Sequence, residues 1–152
     1  MGSMSHLKLG KTEQADYRCP DCGFTIWIPI GSMEVAEAGL YDDARFPGRS
    51  ILALREHVTD FQNLSGDQAD QFFKDSRNLA LAIQNVTGAK RMNYAILGNR
   101  EPHLHAHLIP RGGPEDQVAH LSPWQHPQEV RTIAESDRLS LVKALRAEIK
   151  RS

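Results

Sequence analysis

The sequence predicts an α+β fold, in which an antiparallel β-sheet is covered by one long helix and a second helix lies near the C-terminus. Residues 24–30 and 103–109 alternate with the period of a strand, whereas apolar residues between 66 and 87 recur at the spacing of an amphipathic helix. The link at 98–102 contains glycine and has the length of a hairpin loop. With 152 residues, of which 40% are hydrophobic, the chain is long enough for one compact domain.

The first part of the chain carries three strand signals. The clearest is the alternation over 24–30, where every second residue is apolar. Residues 34–42 are weakly patterned and are interpreted as a second, shorter strand, and a Pro-Gly turn over 43–48 follows. The run at 50–54 is continuously apolar, which predicts a central strand or one that is buried on both faces.

A long helix is predicted from about 66 to 87. Ser65 and Gln68 form a capping-box pattern at its start, and Gly88 lies where a C-terminal glycine cap is expected. We expect both members of the Phe72-Phe73 pair to lie in the core. The predicted apolar face consists of Ala69, Phe72, Phe73, Ala80, Ile83 and Val86.

The second half of the chain begins with a strand over 92–97 and ends with a helix. The hairpin link leads from that strand into the histidine-rich strand over 103–109, after which the chain is polar and rich in proline and glycine. A final helix is predicted from about 132 to 150. Its expected apolar stripe is Leu139, Val142, Leu145 and Ile149.

Charge and composition limit the classes of partner. A formal net charge of -1 gives no field that would attract a nucleic-acid backbone or an acidic membrane surface. We find no apolar run of bilayer length and no signal-peptide pattern, so the cytoplasm is the expected location. Residues 1–3, which precede Met4, are interpreted as an expression scar, and residues 1–16 as a flexible N-terminus.

Three histidines at alternate positions are the main functional signal. On a strand, His103, His105 and His107 point to one face, while the apolar residues between them point to the other. The first and last are about 13 Å apart on a regular strand, too far to bind one metal ion. We therefore expect a division of labour, in which one imidazole acts as a nucleophile or base and its neighbours serve other roles.

Cys19 and Cys22 are the only cysteines and form a Cys-x-x-Cys pair. A redox role needs a thioredoxin-like βαβ context, which does not follow here. The pair is therefore interpreted as half of a zinc site, which needs two further ligands, or as a metal-free thiol pair.

The triad strand, His103-Leu104-His105-Ala106-His107-Leu108-Ile109, resembles the motif of the histidine triad superfamily, and the resemblance extends over about residues 17–112. Further matching positions are Tyr41-Asp42-Asp43, Phe46-Pro47-Gly48, Ile51 to His57 and Met92 to Pro102. The resemblance implies a domain over 17–112, followed by a C-terminal tail and helix over 113–152. It also implies a five-stranded fold that usually forms a homodimer with a continuous ten-stranded sheet.

The same resemblance implies roles for the histidines. Branches of the superfamily that keep the cysteine pair complete a structural zinc site with His57 and His103, at the positions of this sequence. His105 occupies the position of the nucleophile. His107 is expected to hold phosphate oxygens or to handle a proton.

Other site residues are expected around these histidines. Asp42 lies where the superfamily places an acid against ribose hydroxyls, although it could equally be an ordinary turn aspartate. Arg49 stands where many relatives carry histidine, and its forked guanidinium could bind phosphate. Asn99 is the nearest substitute for an asparagine that relatives carry near the phosphates. Trp124 in the tail is expected to shape the substrate pocket or to be a plain surface residue.

The resemblance implies a nucleotide hydrolase that acts on adenine or other purine nucleotides. It would cleave nucleoside phosphoramidates or dinucleoside polyphosphates at the α-phosphate through a nucleotidyl-histidine intermediate. Two alternatives remain open. One is a nucleotidyltransferase or phosphorylase that passes the same intermediate to another acceptor, and the other is a nucleotide-binding module without turnover.

Overall fold

A computed structural model describes residues 17–151, so the expected expression scar and flexible N-terminus, residues 1–16, lie outside the described residues. It contains a five-stranded antiparallel sheet with the order β1-β2-β3-β5-β4, which confirms the predicted α+β fold. The elements are β1 (Pro29–Ser32), β2 (Ala36–Leu40), β3 (Ser50–Leu54), α1 (Gly66–Thr87), β4 (Arg91–Ala95), β5 (His105–Arg111) and α2 (Glu135–Arg151). None of the described helices combines the length and apolar character needed to cross a bilayer.

Strand β3 occupies the centre of the sheet, as its continuous apolar run predicts. It pairs with β2 on one side and with β5 on the other, and in this register Ala53 lies opposite His105 and Ile51 opposite His107. Leu52, Ala53 and Leu54 are fully buried, because both faces of the strand are covered. The histidine strand is thus held against the most buried strand of the sheet.

The main core lies between one face of the sheet and the two helices. Leu104, Ala106 and Leu108, which alternate with the histidines, all belong to it. The helices contribute Phe72 from α1 and Leu145 from α2. Alternation along β5 therefore buries its apolar side chains under the helices and leaves its imidazoles on the opposite face.

Helix α1 has the predicted bounds and caps. The Ser65 hydroxyl accepts a hydrogen bond from the Gln68 backbone, the Gln68 side chain bonds back to the Ser65 N–H, and Gly88 closes the helix with a φ of 74°. The prediction was wrong for Phe73, which is 69% exposed, whereas Phe72 is 2% exposed. Because successive helical residues are about 100° apart, only one of two adjacent phenylalanines faces the core.

The prediction of a strand over residues 24–30 was wrong for most of that range. Sheet pairing in the described part of the chain begins only at Pro29, and residues 17–28 make a single bridge, between Arg18 and Thr25. The alternating apolar residues are nevertheless buried, because this extended segment lies across the sheet instead of within it. The segment contacts Gly39 of β2 so closely that a Cβ atom on residue 39 would lie 2.5 Å from the Cγ2 atom of Ile26. Alternate side chains of this segment are thus buried, although the segment has no ladder of hydrogen bonds to a neighbouring strand.

Three other boundaries differ from the prediction. Strand β4 ends at Ala95, so the residues at 96 and 97 are exposed loop residues. Strand β5 begins at His105, so His103 precedes it. Helix α2 begins at Glu135, and Leu139 is exposed because the neighbouring Arg138 takes the inward position and donates to the Ile133 carbonyl oxygen at 3.0 Å.

The two adjacent phenylalanines of α1 allow a matched test of this packing. Phe72→Ala should lower the free energy of unfolding by about 3–5 kcal/mol, because it opens a cavity in the core. Phe73→Ala should change it by less than about 0.5 kcal/mol, because that ring is in water. Equilibrium denaturant unfolding of both variants measures the difference, and equal losses would contradict the described face of the helix.

Candidate functional site

The imidazoles of His103, His105 and His107 form a row on the face of the sheet opposite the helices. The rings of His105 and His107 are 5.3 Å apart between centroids, as expected for alternate residues of one strand. Phe24, from the segment that crosses this face, packs on His103 at 5.0 Å and on His105 at 4.9 Å. The row of histidines is thus held in place by the backbone of β5 and by the packing of Phe24 against its rings.

His105 is oriented for nucleophilic chemistry. Its Nδ1 lies 2.7 Å from the carbonyl oxygen of His103, and because a carbonyl oxygen only accepts, Nδ1 carries the proton and donates. The lone pair of the neutral ring is then on Nε2. No residue within 17–151 forms a hydrogen bond with that atom. The ring therefore has one nitrogen fixed by the backbone and one available to a ligand.

The two cysteines meet two histidines at the start of the same row. The potential ligand atoms of Cys19, Cys22, His57 and His103 all lie within 4.8 Å of one another. The Sγ atom of Cys22 is 3.4 Å from Nδ1 of His103, and the Sγ atom of Cys19 is 3.7 Å from Nδ1 of His57. Ligand atoms around tetrahedral zinc are separated by roughly 3.5 Å, so the donor set has the dimensions of a metal site.

The surroundings favour the metal-binding forms of His103 and Cys19, whereas burial raises the pKa of the Cys22 thiol. Nε2 of His103 donates to the Leu54 carbonyl oxygen at 2.7 Å, which leaves the Nδ1 lone pair directed to the cysteines, and burial lowers the pKa of His103. Burial opposes ionisation of Cys19, but hydrogen bonds from the backbone of Cys22 and Asp21 prevail and lower the pKa of the Cys19 thiol to about 7. This cluster could hold a metal ion.

A cleft of about 590 Å³ opens beside His105 and His107, within the size range of small-molecule sites. One wall is apolar and includes Trp27 and Leu40. The tail reaches the cleft through Val130, which the sequence did not single out. Nothing local in the sequence marks these residues, because the cleft is formed by segments far apart in the chain.

Asp42 lines this cleft and also binds the tail. Its Oδ1 accepts a hydrogen bond from the Ile133 N–H at 2.8 Å, and its Oδ2 lies 3.4 Å from Nη1 of Arg138. These contacts are those of a structural aspartate. A contact with ribose hydroxyls stays a prediction.

Arg49 is buried behind His107 and does not line the cleft. Its Nη1 donates to Asp43 Oδ2 at 3.0 Å, and its Nη2 lies 3.1 Å from Nδ1 of His107. Burial, with the nearby charge of Arg49, lowers the pKa of His107 to about 4, so this imidazole is neutral near pH 7. Sequence reasoning singled out Asp42 and missed the adjacent Asp43, which is fully buried.

Two predicted residues remain, Asn99 and Trp124, and only the first lines the cleft. Asn99 lines it, from the loop between β4 and β5. Trp124 lies in a short 3₁₀ turn, is 60% exposed and is not among the cleft residues. The structure places Trp124 at the surface of the single chain, and its role stays a prediction.

Comparisons with known proteins agree with this geometry. The family model described as HIT domain matches residues 30–113. A search of curated protein sequences found no match. A histidine triad protein from Bradyrhizobium japonicum has a similar structure, with a TM-score of 0.72, 24% identity and coverage of 80% of this chain and 90% of that chain.

Two further solved structures are relevant. A zinc-bound histidine triad family protein from Mycobacterium smegmatis has a TM-score of 0.59 and 19% identity, and the match covers 81% of this chain and 84% of that one. Diadenosine triphosphate hydrolase from Plasmodium falciparum has a TM-score of 0.66 and 12% identity, with coverage of 99% and 97%. At these identities the likeness shows the fold.

Proposed function

This chain belongs to the HIT domain family, and we propose that it is a nucleotide hydrolase that uses His105 as its nucleophile. The substrates would be nucleoside phosphoramidates or dinucleoside polyphosphates with adenine or another purine base. One structural neighbour, the diadenosine triphosphate hydrolase, is named for chemistry of this kind. The fold likeness is compatible with this function, and the geometry around His105 supports it directly.

The single observation that carries the proposal is the hydrogen bond from Nδ1 of His105 to the His103 carbonyl oxygen. It leaves the Nε2 lone pair free to attack the α-phosphorus of a nucleotide in the cleft. The new N–P bond forms as the P–O or P–N bond to the leaving group breaks, and the leaving group takes up a proton from water. A water molecule then attacks the nucleotidyl-histidine, which releases the nucleotide and restores the imidazole.

The cleft residues suggest how such a nucleotide would be held. Asn99 and His107 line the same cleft as His105 and are proposed to donate hydrogen bonds to phosphate oxygens. Asp42, which also lines the cleft, would accept from ribose hydroxyls. Arg49, as a predicted phosphate-binding residue, places a positive charge behind His107, which favours a bound anion.

We also propose that the cluster of Cys19, Cys22, His57 and His103 binds one structural zinc ion. Four soft or borderline protein ligands without an open position are typical of structural zinc. The ion would tie the segment that contains the cysteines to the start of β5 and so fix the backbone carbonyl that orients His105. A zinc-bound neighbour of the same fold is known.

A homodimer formed through β4 is the third part of the proposal. Strand β4 lies at the edge of the sheet, and within residues 17–151 it pairs only with β5. Tyr94 on this strand is 58% exposed, which is unusual for a large aromatic side chain. Pairing of two such edges would give a ten-stranded sheet. The cytoplasmic location and the lack of a nucleic-acid partner stay predictions.

The hydrolase proposal predicts release of AMP from adenosine phosphoramidates and dinucleoside polyphosphates. His105→Ala should lower the steady-state rate at least about 10³-fold, since it removes the nucleophile, while AMP binding is retained. His120→Ala, at an exposed histidine outside the cleft, is the control and should match the wild type. Binding of AMP without turnover of any substrate by the wild type would favour a transferase or a binding module.

The zinc proposal predicts about one zinc ion per chain by elemental analysis of the purified protein. His103→Ala should lose zinc and lower the melting temperature strongly, since structural zinc contributes folding free energy on the order of 10 kcal/mol. His105→Ala, two residues away, should keep the zinc. A folded, zinc-free wild type would contradict the site, and a His103→Ala variant with full zinc content would remove His103 from it.

The dimer proposal predicts a solution mass of twice the 17.0 kDa of one chain, measured by size-exclusion chromatography with light scattering. Tyr94→Lys should shift the protein towards monomer, because it places charges opposite each other on the paired edges. Ser32→Lys, on the edge strand at the other side of the sheet, should leave the mass unchanged. A monomeric wild type, or a dimer disrupted only by Ser32→Lys, would contradict pairing through β4.

A further inference from the structure

The guanidinium of Arg49 is held in one position by Asp43 and Tyr41, of which only Tyr41 also lines the cleft. Its Nη1 donates to Asp43 Oδ2 at 3.0 Å, and Asp43 is fully buried. Its Cζ lies 3.9 Å from the centre of the Tyr41 ring, a cation–π contact. The backbone adds a third restraint, since the Tyr41 N–H donates to the Arg49 carbonyl oxygen at 2.8 Å. Arg49 is thus positioned before any ligand enters.

The same guanidinium determines which nitrogen of His107 carries a proton. Nη2 of Arg49 lies 3.1 Å from Nδ1 of His107. A guanidinium has donors and no acceptor, so Nδ1 must accept this hydrogen bond with its lone pair. The neutral imidazole of His107 therefore has its proton on Nε2, where no hydrogen bond to residues 17–151 is found.

Two imidazoles of one strand are thereby held in opposite tautomers. His105 has its proton on Nδ1, because that atom donates to a carbonyl oxygen, whereas His107 has its proton on Nε2. Nε2 of His105 therefore has a lone pair, whereas Nε2 of His107 has an N–H donor. The centroids of the two rings are 5.3 Å apart. An attacking nitrogen beside a hydrogen-bond donor is the arrangement that an anionic electrophile needs.

We propose that Arg49 is a positioning residue, which holds His107 in the Nε2–H tautomer so that this N–H donates a hydrogen bond to a phosphate oxygen of the substrate. The role of the donated bond rests on the proposed function, whereas the tautomer of His107 is a property of the protein alone. Arg49 acts through His107, in agreement with its position behind the cleft wall.

The surrounding charges support a neutral donor at His107. Burial, the charge of Arg49 and the nearby His105 all disfavour the imidazolium. The charge of Arg49 is itself offset by Asp43, which also pairs with Arg45 at 2.8 Å. His107 is therefore kept as a hydrogen-bond donor, and not as a proton donor, near pH 7.

Arg45 offers a matched control. Arg45 and Arg49 both bind the Asp43 carboxylate, but only Arg49 contacts His107. Replacing either arginine by methionine removes one positive charge and one ion pair from the same carboxylate. Only the change at Arg49 removes the donor from Nδ1 of His107.

The first experiment reads the tautomer in the ligand-free full chain by ¹⁵N NMR of the histidine rings, with His107→Asn used for assignment. Protonated and unprotonated ring nitrogens have well-separated shifts. We expect an unprotonated Nδ1 and a protonated Nε2 at His107 in the wild type and in Arg45→Met, and averaged shifts in Arg49→Met. Arg49→Lys, which keeps a cation with donors only, should retain the wild-type pattern.

Two NMR results would overturn the proposal. One is a proton on Nδ1 of His107 in the wild type, which needs no variant and so does not depend on whether Arg49→Met folds. The other is an Arg49→Met spectrum that is indistinguishable from the wild type. Both are independent of catalysis, so they separate failure of this proposal from failure of the hydrolase proposal.

The second experiment is a double-mutant cycle on AMP release. Arg49→Met should lower kcat about tenfold, and Arg45→Met less than about twofold. In the His107→Asn background, Arg49→Met should cause no further loss, because Arg49 acts through the ring that is missing. A further tenfold loss in that background would show instead that Arg49 contacts the substrate directly, and would overturn the positioning role.

Discussion

The hydrogen bond from Nε2 of His103 to the Leu54 carbonyl oxygen joins the end of the central strand to the start of the histidine strand, and the site depends on it. It fixes the tautomer of His103 and directs Nδ1 to the cysteines. The carbonyl oxygen of the same residue accepts from His105, so the orientation of one ring is passed to the next through the backbone. Because the rings are linked in this way, His105 is connected through the backbone to the cluster of cysteines and histidines that could hold a metal ion.

The three histidines of the motif have identical side chains but different hydrogen-bond partners. Nε2 of His103 meets the Leu54 carbonyl oxygen, Nδ1 of His105 meets the His103 carbonyl oxygen, and Nδ1 of His107 meets the Arg49 guanidinium. Each of these partners is either donor-only or acceptor-only, and so it fixes the tautomer of the neutral ring. The alternation of the strand brings the rings together, but the position of the proton on each ring is set by its own partner.

Much of the fold could be predicted because it depends on local patterns. The bounds of α1 follow from its caps, and the central position of β3 follows from its unbroken apolar run. The errors occurred where a pattern had two structural solutions. Alternating burial over 24–28 comes from a segment that crosses the sheet, and Phe73 points to water although its neighbour is buried.

The same reasoning explains what could be predicted of the site. The Cys-x-x-Cys spacing and the histidine motif, together with the family resemblance, predicted all four residues of the cluster that could hold a metal ion, because their chemistry is recognisable in the sequence. Asp43 and Val130 were missed, since one acidic residue in a turn looks like another and a tail residue shows its position only in three dimensions.

The packing also shows that the unit that folds is larger than the segment that defines the family. The family match covers 30–113, yet Phe24 and Ile26 form a second small core on Ala53, and Val142 and Leu145 complete the main core. The flanking segments thus complete the cover of the matched sheet: the crossing segment covers one face, and α2 packs beside α1 on the other. A chain trimmed to the matched segment would lose the cover of one face and the α2 part of the cover of the other, and with it part of the burial that makes folding cooperative.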